Sequence, residues 1–369
     1  MTAPQIGAAV ARNLLQSANC PADAVDLCIV GEVLQAGVGQ NPARQVALGA
    51  GIPPTVTAVT VNQVCGSGLR AAMDVDNNIR LGQAKVAIAG GMESMSNAPY
   101  LLRELRSTGT KFGNASVIDE MQFDGLTDAY EGQAMGAIAD YTAAKYNVTR
   151  RDQDEFALNS HLRAAKAAAE GFFKAEIAAI EIKSRKQTIV IDTDETIRAD
   201  STLEALSGLK PAFGKDGTVT AGNASQLSDG AAMVLMTTPE EATKRGWRIR
   251  AKVLAHATFG VAPKELFIAP VGAVRKALEL AGLKPNDIDL YELNEAFSAQ
   301  AVACIRQLEV NPDKVNVFGG GVALGHPIGV SGGRILVTLL NAMERRNARR
   351  GVASLCLGGG NAVAMVIER

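Results

Sequence analysis

The feature that most constrains this chain is a segment order that occurs twice. Asp26-Leu27-Cys28-Ile29-Val30-Gly31-Glu32-Val33 resembles Asp289-Leu290-Tyr291-Glu292-Leu293-Asn294-Glu295-Ala296. A helix-like stretch follows each, then a strand entering a glycine turn. Those turns are Val61-Asn62-Gln63-Val64-Cys65-Gly66-Ser67-Gly68 and Val315-Asn316-Val317-Phe318-Gly319-Gly320-Gly321. Each series then reaches an apolar strand ending in glycine, Val86 to Gly91 and Ala353 to Gly360. Repeated order at similar spacing implies two copies of one α/β unit. Strands alternating with helices favour a parallel or mixed sheet in each copy. At 369 residues the chain exceeds one ordinary core, so two related halves leave room for more. The extra material is the stretch from Met95 to Leu227. Within it Thr149-Arg150-Arg151-Asp152 reads as a capping box, with Phe156, Leu162 and Ala165 on the helix behind it and Gly171 as its stop. The apolar run Ala231 to Met236 is expected to return to the first copy's sheet.

Composition excludes several classes of function. The net charge is −1 and no block of like charge occurs. The densest basic stretch, Arg345-Arg346-Asn347-Ala348-Arg349-Arg350, follows an apolar helical run and reads as a solvated helix C-terminus. A nucleic-acid face would need more basic surface and interleaved aromatics. The five cysteines, Cys20, Cys28, Cys65, Cys304 and Cys356, show no CxxC spacing, and their odd number argues against a disulfide framework. With three histidines, His161, His256 and His326, no metal cluster is visible. No apolar run reaches membrane-spanning length, and the expected compartment is the cytoplasm.

Four residues stand out for chemistry. Cys65 lies between an apolar strand and a helix whose face is Leu69, Ala72, Met73 and Ile79, with Gly82 as its stop. A cysteine at such a turn meets the positive end of a helix dipole, which favours thiolate, while Gly66 and Gly68 keep side chains away from a substrate carbonyl. The alternative is a small buried core residue, the commonest fate of a free cysteine. His326 sits in Gly325-His326-Pro327-Ile328-Gly329-Val330-Ser331-Gly332-Gly333, a loop that brings an imidazole close to backbone or ligand, or else a structural turn with an incidental histidine. Cys356 ends the last core strand and reads either as core or, as the repeat's counterpart at a glycine-rich strand tip, as a base. Asn294 offers an amide that could orient a water or carbonyl, or an ordinary helix N-cap. Gly37-Val38-Gly39-Gln40-Asn41-Pro42 lacks the third glycine of a dinucleotide fingerprint and reads as a turn entering a helix at Pro42.

Taken together, these segments resemble the thiolase family. Val61 to Leu69 resembles its nucleophile motif, Asn294-Glu295-Ala296-Phe297 its NEAF motif, and Gly325 to Gly329 and Cys356 to Gly360 its histidine and second-cysteine motifs. Gln40-Asn41-Pro42-Ala43-Arg44-Gln45 and Gly90 to Ser96 are similar to family blocks with structural roles. The resemblance implies a thiolase-like α/β fold: two five-stranded mixed-sheet halves related by a pseudo-twofold, plus an inserted loop domain covering coenzyme A. The implied boundaries are 1–94 with 228–248 for the N-terminal half, 95–227 for the loop domain and 249–369 for the C-terminal half.

The same resemblance implies an acyl-CoA C-acyltransferase. Cys65 takes the acyl group, His326 removes its thiol proton, and Cys356 takes an α-proton from the second acyl-CoA. Asn294, through a water, and His326 form one oxyanion hole; the backbone N–H groups of Cys65 and Gly358 form the other. Ser225, Met135, Phe213 and Phe297 match coenzyme A contacts. Acetyl-CoA and acyl-CoA are then substrates, with no further cofactor, no metal, no nucleic acid and no membrane, and the assembly is a homodimer or homotetramer.

The chain departs from the pattern in places. It opens at the helix that follows the family's first strand, so that strand is expected to be missing. Ala134 stands where short-chain biosynthetic members carry histidine, Asn361-Ala362 replaces a pair ending in glycine, and Leu266 to Ala273 diverges. Two rival readings follow. A ketoacyl-synthase-like condensing enzyme would carry a histidine or asparagine where Cys356 stands. A non-catalytic acyl-CoA binder is favoured by the missing strand and opposed by the intact Cys65, His326 and Cys356.

Overall fold

The computed structural model of the chain describes residues 1–103, 106, 109, 112, 114–183 and 187–369. The first half runs α1 (Ala3–Ser17), β1 (Leu27–Gly31), α2 (Pro42–Gly49), β2 (Thr57–Val61), α3 (Ser67–Arg80) and β3 (Val86–Ser94). A long excursion follows, with β4 (Tyr100–Leu101), β5 (Ile118–Asp119), α4 (Met135–Lys145), α5 (Arg150–Ala169), β6 (Ile180–Lys183), β7 (Thr188–Ile191) and α6 (Leu203–Ser207). The chain then returns as β8 (Asp229–Thr237), followed by α7 (Pro239–Arg245). The second half comprises β9 (Lys252–Gly260), α8 (Ala269–Ala281), β10 (Leu290–Leu293), α9 (Ser298–Leu308), α10 (Gly321–Leu324), α11 (Ser331–Arg345), β11 (Arg350–Leu357) and β12 (Asn361–Glu368).

The two main sheets have orders β2-β1-β3-β8 and β10-β11-β12-β9. In the first, β2 and β3 flank β1 in parallel and β8 runs antiparallel to β3. In the second, β10 and β11 are parallel, and β12 is antiparallel to both β11 and β9. Five regular strands per sheet were expected; four are present in each. The second half's fifth position shrinks to a single bridge, Tyr291 to Val315. In the first half the outer edge of β8 has no neighbour among the described residues, where β12 has β9.

The repeat extends to hydrogen bonds. Asp26 Oδ2 accepts from the N–H groups of Lys85 and Val86 at the foot of β3. Asp289 Oδ2 does the same for Arg349 and Arg350 at the foot of β11. Both sheets stack about a shared middle layer, α3 and α11. Leu69, Met73, Ile335, Leu339 and Met343 meet Ile29, Ala87, Leu355 and Val363 there in one buried cluster. α1 and α2 cover the outer face of the first sheet and α8 and α9 that of the second. β3, buried along its whole length, reads as the near-continuous apolar run that a strand covered on both faces requires.

Local expectations fared unevenly. Thr149 and Asp152 form the capping box of α5, and Gly171 follows that helix at φ 70°. Its buried face is Gln153, Ala157, Ser160, His161, Ala164 and Ala167, however, and Leu162 is exposed. Asn41, itself at φ 44°, caps α2 at Pro42. The basic stretch divides: α11 ends at Arg345, and Arg350 opens β11, pairing with Glu368. No described helix is long and apolar enough to cross a membrane.

Candidate active site

The turn that presents Cys65 is built from its own polar neighbours. Asn62 Oδ1 accepts from the Val64 N–H, and Ser67 Oγ accepts from the Gln63 N–H and donates to the Val64 carbonyl. This bonding holds Val64 at φ 48°, a left-handed conformation that costs a β-branched residue roughly 1–3 kcal/mol. Cys65 is the one cysteine of the five that is not fully buried. Burial first, and the Glu93 carboxylate second, push its thiol up to about 12, against the pull of the N–H groups of Cys65 and Gly358. The expectation of a thiolate at the helix terminus is therefore corrected. Desolvation outweighs the pull of those N–H groups, which favours the thiol.

The two glycines beside Cys65 also act differently from the expected clearing of space for substrate. A side chain at Gly66 would strike Leu357, and one at Gly68 would meet Gly333 N at 2.6 Å and Gly329 O at 3.0 Å. They let the nucleophile turn press against the second half. Cys65 thus packs with Ile328, two residues from His326.

His326 is buried, with its N–H on the Gln226 carbonyl. Ser331 Oγ lies 2.5 Å from its Nδ1, and Asn294 Nδ2 lies 3.4 Å from Nδ1 and 3.5 Å from Nε2. Burial, then the nearby Arg334 guanidinium, lowers the imidazole to about 3, so it stays neutral at any ordinary pH. Asn294 is no helix cap, since α9 begins four residues later at Ser298. It ends β10 with its N–H on the Ser354 carbonyl and its amide toward His326.

Cys356 lies near the end of β11 and is 1% exposed. Burial raises its thiol well above 9, and Cys65 and Cys304 raise it further. Gly358, two residues beyond Cys356, lies against the turn that carries Cys65: a side chain there would meet Val64 at 3.4 Å.

The four residues expected to contact coenzyme A share one wall with Cys356. Met135 and Phe297 pack in its cluster with Phe267 and Ala296. Phe213 and Phe267 each meet Phe297 edge-on, at 6.3 and 5.4 Å between ring centroids. Ser225 joins through its N–H on the Ala296 carbonyl.

Two family models match this chain: the thiolase N-terminal domain over residues 1–240 and the thiolase C-terminal domain over residues 247–369. The chain belongs to the thiolase family. Among thiolase relatives it is similar to the acetyl-CoA acetyltransferase of Pseudomonas aeruginosa, 50% identical over 368 residues that take in 100% of this chain and 93% of that protein. The acetyl-CoA acetyltransferase of Escherichia coli is 48% identical over 368 residues, with the same coverage. The crystal structure of the Bacillus anthracis acetyl-CoA acetyltransferase superposes with a TM-score of 0.97 at 41% identity, covering 100% of this chain and 93% of that one.

Three polar residues of this thiolase site had been given no role from sequence. Glu93 accepts from the N–H groups of Val33, Leu34 and Gly329, tying the loop after β1 to the histidine loop. Ser331 and Arg334 touch His326 and Asn294. The one signal for Ser331 and Arg334 was a hydroxyl and an ionisable residue on an otherwise small and apolar helix start just behind His326.

Proposed function

We propose that the chain is an acyl-CoA C-acyltransferase, joining two acetyl-CoA molecules into acetoacetyl-CoA or, in reverse, cleaving a 3-ketoacyl-CoA. The observation that carries this reading is the docking of the Cys65 turn, from the first half, on the loop after Cys356, from the second: a side chain at Gly66 would strike Leu357, and one at Gly358 would meet Val64 at 3.4 Å. The names of the relatives at 48–50% identity support it.

In the first half-reaction the Cys65 sulfur attacks the thioester carbonyl as its proton passes to His326. The C–S bond to coenzyme A breaks, and the coenzyme A thiolate leaves with that proton. The acyl oxygen then sits between the N–H groups of Cys65 and Gly358. In the second, Cys356 passes its own proton to His326 and, as thiolate, takes one from the methyl of bound acetyl-CoA; the carbanion attacks the acyl carbon and expels Cys65, which regains its proton from His326. The enolate oxygen is held by His326 and by the Asn294 amide through a water. Each donor acts on charge that develops only in the transition state, worth about a hundred- to a thousand-fold in rate. Two half-reactions through one covalent enzyme give ping-pong kinetics. Met135, Phe213, Ser225 and Phe297 line the coenzyme A path, and residues 95–227 cover it. No cofactor beyond the thioesters is needed. A homodimer or homotetramer in the cytoplasm is the expected setting.

Intact mass spectrometry after mixing with acetyl-CoA tests the reading. One acetyl group should appear on the wild-type chain and be lost in Cys65→Ser. A folded wild-type chain that stays unmodified after prolonged incubation overturns it.

A further inference from the structure

The first turn of α11 touches both polar side chains that the proposed chemistry uses. Ser331 Oγ lies 3.0 Å from the Pro327 carbonyl and 2.5 Å from His326 Nδ1. The hydroxyl carries one proton, and in the bond from Ser331 to the Pro327 carbonyl, which also receives the N–H groups of Val330 and Ser331, that proton is used. In this arrangement the hydroxyl oxygen accepts from the imidazole, which places a proton on Nδ1 and leaves the lone pair on Nε2. One turn along the same helix, Arg334 Nη2 lies 3.5 Å from Asn294 Oδ1. A guanidinium only donates, so the amide oxygen must face it and the NH2 must face the His326 ring. Arg334 is held in turn by Glu292, two residues before Asn294 on β10, at 3.4 Å. Arg334, held by Glu292, thus sets the direction of the amide.

We propose that Ser331 and Arg334 are positioning residues: Ser331 keeps His326 in its Nδ1–H tautomer with Nε2 as the base, and Arg334 keeps the Asn294 NH2 turned into the site. The inference rests on the acyl-transfer reading for its consequence and on geometry alone for its cause. Neither residue touches the reacting atoms. Losing either should lower kcat more than it raises KM, because both groups serve the transition state.

The chain has three histidines, so 15N-histidine labelling gives a spectrum that resolves each tautomer without substrate. The His326 signal is identified by its loss in His326→Ala. Wild type should show Nδ1–H; Ser331→Ala should shift toward Nε2–H and lower kcat on the order of a hundredfold; Ser331→Thr should restore both. Arg334→Met should leave the tautomer alone yet lower kcat about tenfold, on the scale of a lost oriented donor, and Arg334→Lys should recover part. Nε2–H in the wild type, or an unchanged spectrum and kcat in Ser331→Ala, overturns the role of Ser331. An Arg334→Met variant with wild-type kcat overturns that of Arg334. A wild-type chain that never takes an acetyl group defeats the acyl-transfer reading instead, so the two failures are distinguishable.

Discussion

The two halves share strand order, the aspartate at the foot of the central strands and the glycine-rich turns, yet they bring different chemistry to the same places. The bridges Gln63–Cys65 and Val317–Gly319 mark matching turns, so the nucleophile position of the first half is glycine in the second. Counted from Val86 and Arg350, whose N–H groups those aspartates hold, Cys356 on β11 corresponds to Met92 on β3, fully buried among the core residues behind the first sheet. Counted from the aspartates themselves, Asn294 corresponds to Gly31. On the proposed reading, one half supplies Cys65 and the other supplies Asn294, His326 and Cys356, so two similar backbones carry one asymmetric set of side chains.

That division of labour can be broken most sharply by removing one residue from the second half at a time. Cys356→Ala should still form acetyl-Cys65, since acylation uses only Cys65 and His326, but should make no acetoacetyl-CoA. General-base contributions of about 10²–10⁴-fold set the scale of the loss. His326→Ala should slow acylation itself, by removing the base for Cys65 and an oxyanion donor together. Rapid-quench mass spectrometry separates early from late damage. Condensation by Cys356→Ala at near wild-type rate would return Cys356 to the core.

The two cysteines also differ in protonation and access. With the Cys65 thiol pushed up to about 12, its thiolate fraction should rise about tenfold per pH unit between pH 7 and 10. Iodoacetamide labelling of Cys65 should follow that slope without a plateau, ahead of the fully buried Cys356. A plateau near neutral pH would show a thiolate–imidazolium pair and overturn the neutral resting site.

These contrasts show what the sequence could and could not carry. Cys65, His326, Cys356 and Asn294 were legible because each lies in a short motif whose neighbours are turn-formers, and motif order survives without coordinates. The return of β8 was legible from its apolar run. The state of the Cys65 thiol was not, because desolvation depends on which loops close over it, and those loops come from the other half. The same holds for α5, where His161 is buried and Leu162 exposed because the packing partners lie elsewhere in the chain. Ser331 and Arg334 escaped notice for a related reason. A serine and an arginine in the first turn of a helix look ordinary until His326 and Asn294 are seen beside them.

The edges of the two sheets offer a smaller effect. β12 is hydrogen-bonded on both sides and nearly all buried, whereas β8 pairs, among the described residues, only with β3 and is mostly half-exposed. An unpaired edge leaves alternate N–H and C=O groups open to water or to another strand. Amides of β8 should therefore exchange hydrogen faster than those of β12. Equal protection of β8 and β12 would mean that another group covers this edge.

The smallest and most exacting comparison concerns one glutamate in each half. Counted from Asp26 and Asp289, Glu32 and Glu295 are counterparts, and both are buried. Glu295 is satisfied: Ser160 Oγ and the Val322 N–H donate to one oxygen and Asn316 Nδ2 to the other. Neither oxygen of Glu32 has a hydrogen-bond partner among the described residues. Burial, then Glu93 and Glu120, push Glu32 up to about 8. Its folded value thus lies above its unfolded 4.5, so the folded chain holds a proton that the unfolded chain releases. Stability then falls as pH rises from the unfolded value to the folded one, and the slope ends above it. Glu32→Gln removes that cost. It should raise Tm by a few degrees at pH 8 and by little at pH 4.5. Glu295→Gln should do the opposite, turning an NH2 against existing donors at a cost of about 1–3 kcal/mol. Thermal melts of both variants at the two pH values decide the matter. If Glu32→Gln melted at or below wild type at pH 8, some group would already satisfy that carboxylate, and the two glutamates would be alike after all.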